Sequence, residues 1–166
     1  MPTIIAFPIL GLLVILQSAV VSRLPLLHGT ADIVLLVVIA WALQERVRTA
    51  WQWSILGGFF VGLVSALHFS IPLVSYMVIT GLVLIVRQRV WQIPILAMFA
   101  MTFVGTLFSL ILSALAVSIG GVSLPLLDTL RLIILPSLIL NLILAAPIYA
   151  IVKDLAEWVH PEEIEI

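Results

Sequence analysis

Charge is scarce in this sequence and cysteine is absent. Seven Lys and Arg and eight Asp and Glu are spread over 166 residues, a net charge of −1. So small and balanced a complement offers no basic stripe for nucleic acid. Zero cysteines exclude disulfides, thiolate metal ligands and cysteine nucleophiles. What fills the chain instead is hydrocarbon: 64% of its residues are hydrophobic and its mean hydropathy is +1.36. A soluble domain could not cover that much apolar surface.

The few charges are confined to short punctuation marks. No Asp, Glu, Lys or Arg interrupts residues 1–22, 49–86, 90–127 or 132–152. A bilayer hydrocarbon core about 30 Å thick needs roughly 20 apolar residues per helix, so these runs have crossing length. The chain reads as an all-α integral membrane protein. Its first run has no Lys/Arg-rich lead and no small-residue cleavage site, and it exceeds a signal-peptide core, so it reads as a retained anchor.

Length sets the number of crossings. The first run gives a helix at about 3–22 and the last one at about 132–152. Between Arg23 and Glu45 the apolar stretch Ile33 to Leu43, with Thr30, Ala31 and Asp32 as a first turn, makes a helix at about 30–44. At roughly 22 Å it crosses only where the bilayer thins or neighbouring protein shields its ends. The run 49–86 would form one helix about 57 Å long, so it must break. Pro72 disfavours helix in the residue before it, which places the break at His68 to Pro72 and predicts helices near 50–67 and 73–86. In the run 90–127 the breakers Gly120, Gly121 and Pro125 lie near the end, leaving one helix at about 92–118. The expectation is a single six-helix domain over residues 1–153 and an acidic, frayed cytoplasmic tail over 154–166.

Alternating sides puts Arg46, Arg48, Arg87, Arg89 and Lys153 on one face and Arg23 and Arg131 on the other. Cations accumulate on the cytoplasmic side, so both termini are expected there. Trp41, Trp51, Trp53, Trp91 and Trp158 fall at helix ends on that same side, where indole rings favour the interface.

Helices in lipid associate through close backbone approach and interhelical hydrogen bonds. Ser54, Gly58, Gly62 and Ala66 form a small-residue stripe on the third helix, and Ala97, Gly105, Ser109 and Ser113 one on the fifth. These stripes serve either packing inside the monomer or binding of a partner helix. Ser137, Asn141, Ala145 and Tyr149 line up on the sixth helix between Pro136 and Pro147, and Asn141 needs a hydrogen-bond partner at that depth. Asp32 opens the second helix, where capping is the first reading and proton or ion coupling the second. Arg23, Asp32, Asp128 and Arg131 are the outer-face polar candidates, with Asp128 and Arg131 placed to pair along a first helical turn. His68 reads as an interfacial polar residue. No zinc motif, nucleophile elbow, phosphate loop or intramembrane carboxylate pair is present, so no catalytic residue, metal or cofactor is assigned.

Several of these segments resemble the rod shape-determining MreD family. The resemblance rests on Leu16-Gln17-Ser18, on Arg23 and Gly29, and on Asp32 opening an Ile/Leu/Val run that ends Ala40-Trp41-Ala42-Leu43. Gly57-Gly58-Phe59 with Gly62-Leu63, and Leu135-Pro136-Ser137 with Asn141, Pro147 and Tyr149, extend it over most of the chain. The chain departs from the family's pattern at Ala31, where Pro is usual, and at Val64-Ser65-Ala66, where an acidic residue is usual. The resemblance implies a non-enzymatic scaffold in the bacterial cytoplasmic membrane. It further implies the partner MreC, links to RodA, a class B penicillin-binding protein and MreB, contact with membrane lipid, and no nucleic acid.

The family's helix arrangement is similar to that of the substrate-binding subunits of energy-coupling-factor vitamin transporters. This supplies the alternative function, a pocket built from Arg23, His28, Asp32, His68, Tyr76, Asp128 and Arg131. An intramembrane enzyme acting on lipid-linked sugars would need a charged cluster that the sequence lacks.

Overall fold

The computed structural model describes residues 2–19, 29–89, 93–122 and 125–160. Arg23, His28, Trp91 and the acidic residues Glu162, Glu163 and Glu165 lie outside them. The described residues form helices and no strand. We label the helices α1 (Pro2–Ala19), α2 (Ile33–Leu43), α3 (Ala50–Val64), α4 (Ser70–Arg87), α5 (Pro94–Ile119) and α6 (Leu135–Val159). A helical turn, Leu126–Thr129, and a wider π-helical turn, Leu130–Ile134, lead into α6. Three helices, α4, α5 and the continuous run Leu127–Val159, are long and apolar enough to cross a membrane, and α1, α2 and α3 are shorter apolar helices. By length and composition this is a membrane protein.

The distribution of side chains follows from lipid as solvent. On α4 the buried stripe is Pro72, Ser75, Tyr76, Ile79, Thr80 and Val83, at helical spacing. Val74, Met77, Val78, Leu82 and Ile85 of the same helix are exposed. Hydroxyls therefore turn inward and aliphatic groups outward. The same holds on α5, which buries Thr102 and Thr106, and on α6, which buries Ser137 and Asn141.

At the centre stands α2. Its sequence, IVLLVVIAWAL, is apolar on every side, and a helix of that kind belongs inside. Every residue of it except Ile33 is buried, and it packs against all five other helices. At 11 residues it is only about 16 Å long. The shielding by neighbours that so short a segment requires is thus what the fold supplies.

Several boundaries differ from the sequence expectation, each for a local reason. Residues 30–32 precede α2 without joining it, and Asp32 caps it. The helix α3 ends at Val64, where the Ser65 hydroxyl accepts the Leu67 N–H at 3.1 Å and turns the chain. Ala66 therefore lies beyond the helix and is exposed. Pro72 does not precede α4 but sits in its first turn, where a missing N–H costs nothing. The expected frayed tail is helical up to Val159, with Ala156 buried and Glu157 3.8 Å from Lys153. Trp41 and Trp53 are core residues, not interfacial ones. Both are fully buried and stack with ring centroids 4.1 Å apart, while Trp51 and Trp158 are exposed.

The small-residue stripe of α3 faces helices of this same chain. A Cβ on Gly58 would lie 2.8 Å from Leu73 Cα, and one on Gly62 2.8 Å from the Phe69 carbonyl oxygen. Glycine at these positions lets α4 approach backbone to backbone. Gly57 turns the other way, toward Val34 and Val38 of α2.

Candidate functional site

The site is built where α2 begins. Gly29 is buried against α6 so closely that a Cβ would fall 2.6 Å from Pro136 Cβ and 2.7 Å from Ser137 N. From there the chain runs along α6, the Thr30 N–H donating to Ser137 Oγ at 3.0 Å and the Asp32 N–H to Asn141 Oδ1 at 2.8 Å. Residues four apart on a helix share a face, so both side chains reach the segment that runs beside it. Ser137 and Asn141 thereby take alternate backbone donors from residues 30 and 32.

Asp32 then caps α2, Oδ1 accepting the Leu35 N–H at 3.0 Å and the Tyr76 hydroxyl at 2.6 Å. Gln17, near the end of α1, takes the Val34 N–H at 3.2 Å through Oε1. Asn141 Nδ2 donates to Thr106 Oγ1 at 3.0 Å, which ties α6 to α5. The N–H groups of Asp32, Val34 and Leu35 are thus satisfied by Asn141 of α6, Gln17 of α1 and the capping Asp32 itself. At the other end, Arg87 Nη1 donates to the carbonyls of Ala42 at 3.1 Å, Gln44 at 2.8 Å and Val47 at 3.2 Å.

Around Asp32 a chamber of about 140 Å³ remains, lined by Gln17, Thr30, Ser65, Tyr76, Thr106, Ser109, Ser113, Ser137 and Asn141 among others. A second space of about 320 Å³, between α1 and α3, shares Gln17, Thr30, Val61 and Ser65 with it. At the Arg87 end of α2 a charged recess of about 210 Å³ gathers Glu45, Arg46, Arg87, Tyr149, Lys153 and Glu157.

The residues singled out from sequence divide accordingly. Asp32, Asn141, Ser109 and Ser113 meet at the chamber. Gly58 and Gly62 lie between α3 and α4, and a Cβ on Gly105 would lie 3.2 Å from the side chains of Ile39 and Ile79. Ser54 is buried with its hydroxyl unpartnered. Asp128 and Arg131 are exposed on the turns before α6, do not line the chamber, and form no ion pair with each other. Arg23 lies outside the described residues. His68 is exposed, Nδ1 lying 2.8 Å from Ser70 Oγ at the start of α4. Sequence reasoning passed over Thr106 and Gln17 as site residues. Their signal was a polar side chain inside a charge-free run, which in a membrane must find a partner.

Among protein-family models, curated proteins and solved structures, none matches the chain.

Proposed function

We propose that the chain crosses the bacterial cytoplasmic membrane six times, with both termini in the cytoplasm, and acts as a non-enzymatic scaffold of the rod shape-determining MreD type. In this reading it holds MreC, and through it RodA, a class B penicillin-binding protein and MreB, at sites of lateral wall growth. One observation carries the proposal. Gln17, Asp32, Ser137 and Asn141, which bear the sequence resemblance in three separate segments, are joined through the start of α2 by hydrogen bonds of 3.2 Å or less. Their meeting at one place supports the reading. The gathering of Arg46, Arg87 and Lys153 in one recess supports the cytoplasmic assignment of that end, where they meet anionic lipid.

The vitamin-transporter alternative lacks two of its charged groups around the chamber. Arg131 and Asp128, which that alternative needs, do not line it.

The test is affinity capture of the full chain in mild detergent, followed by mass spectrometry. Recovery of a single-span wall-growth protein is the expected result. Recovery of transporter ATPase subunits in its place would overturn the scaffold reading.

A further inference from the structure

We infer that the chamber and the groove beside it form one binding site for a single-chain amphiphile with a small, uncharged, hydroxyl-bearing head group. The two spaces meet at Gln17, Thr30, Val61 and Ser65, which line both. Their surfaces differ. The chamber gathers hydroxyls, amides and the Asp32 carboxyl beside Leu35, Val61, Leu67, Pro72 and Leu110, whereas in the groove Val14, Ala31, Val61 and Val64 stand beside Gln17, Ser18, Thr30 and Ser65, and charge is absent from its described lining. At the liquid volume of water, about 30 Å³ per molecule, the chamber of about 140 Å³ admits roughly five heavy atoms, the size of a glycerol head. The groove of about 320 Å³ then takes the first part of an acyl chain.

Charge narrows the class. Among the described residues no Lys, Arg or His lines either space, and the one carboxyl is Asp32. Beside these residues a phosphate head group would face a carboxyl and no described cation, which is unfavourable. A polyol head, by contrast, can donate to acceptors on the chamber wall while its own oxygens accept from the Ser and Thr hydroxyls. The inference is independent of the scaffold proposal, because it concerns the interior of the bundle and not its partners.

The experiment measures binding of tritiated 1-monoacylglycerol to the full chain in phosphatidylcholine nanodiscs. One saturable site per chain is expected, with free glycerol and the lysophosphatidate of the same chain length failing to compete. Val64→Phe fills the groove at an exposed position, and Ser113→Leu fills the chamber outside the Asp32 network. Each should weaken binding by about tenfold or more, while Val74→Phe on the outer face of α4 leaves it unchanged. Unchanged tryptophan emission establishes that each variant is folded. Absence of a saturable site, equal competition by lysophosphatidate, or full binding in folded Val64→Phe would each overturn the proposal.

Discussion

Replacing Arg87 separates two roles that one cation can play, a topology signal and a helix cap. A topology signal depends on charge alone, so Arg87→Lys should leave it intact. A cap depends on reach and geometry. Arg87 Nη1 donates to three carbonyls at 2.8–3.2 Å, closing the end of α2 and the turn that follows. Hydrogen bonds to charged groups contribute about 1.5–3 kcal/mol, and three acceptors sharing one nitrogen do not add in full, so Arg87→Met should cost about 3 kcal/mol. The lysine ammonium ends roughly 1 Å short of the guanidinium and lacks its planar fork, so Arg87→Lys should lose about half as much. At roughly 2–4 °C per kcal/mol for a chain of this size, the methionine variant should melt about 6–12 °C below the parent. Tryptophan fluorescence is the natural assay. Trp41 stacks on Trp53 and donates to Thr49 Oγ1 at 3.3 Å, at the same end of α2 as the capped carbonyls. Arg89, exposed two residues on, provides the control, and Arg89→Met should shift melting by less than about 2 °C. Equal melting of the parent, Arg87→Lys and Arg87→Met would refute the capping argument.

Further outcomes follow from the same geometry. Tyr76→Phe removes the 2.6 Å bond to Asp32 without altering shape and should lower stability by about 1–2 kcal/mol in the same melt. Gly58→Leu should abolish the folded monomer, since its Cβ alone lies 2.8 Å from the Leu73 backbone, whereas Gly11→Leu, with open space around it, should be silent; size-exclusion profiles distinguish them. Because the chain has no cysteine, single introduced thiols report sidedness directly. In intact cells His68→Cys should react with an impermeant maleimide and Gln88→Cys should not, and the reverse pattern would invert the proposed topology.

Helical class was legible because charge-free runs of bilayer length leave few alternatives. The centrality of α2 was legible only in part. Its length announced a need for shielding, but the identity of the shield depends on contacts with α5 and α6, far along the chain. The hydrogen-bonding demand of Asn141 was likewise visible, while its two partners, Thr106 and the Asp32 backbone, were not, since neither shares a motif with it. Trp41 and Trp53 misled for an identifiable reason. Their positions near helix ends imitate an interfacial belt, yet α2 is so short that its end still lies within protein. The stripe of Ser54, Gly58 and Gly62 marked a close approach without saying to what, because a partner helix and a neighbouring helix of the same chain make the same demand of glycine.

The chamber itself follows from the shortness of α2. A central helix of about 16 Å is shorter than its neighbours α4 and α5, of 18 and 26 residues, so space remains between them at its beginning. Longer helices around it, α4 and α5 among them, enclose that space. The segment 29–32 enters it, and its backbone donors need partners that lipid does not provide. Ser137, Asn141, Asp32 and Gln17 meet this need, and the polar side chains placed for helix termination leave hydroxyl-lined volume between them. Termination and binding are therefore coupled by geometry. Any change that lengthened α2 toward its N-terminus would release the capping bonds and fill the chamber together, whereas a change confined to Ser113 or Val64 alters the cavity and leaves the cap in place.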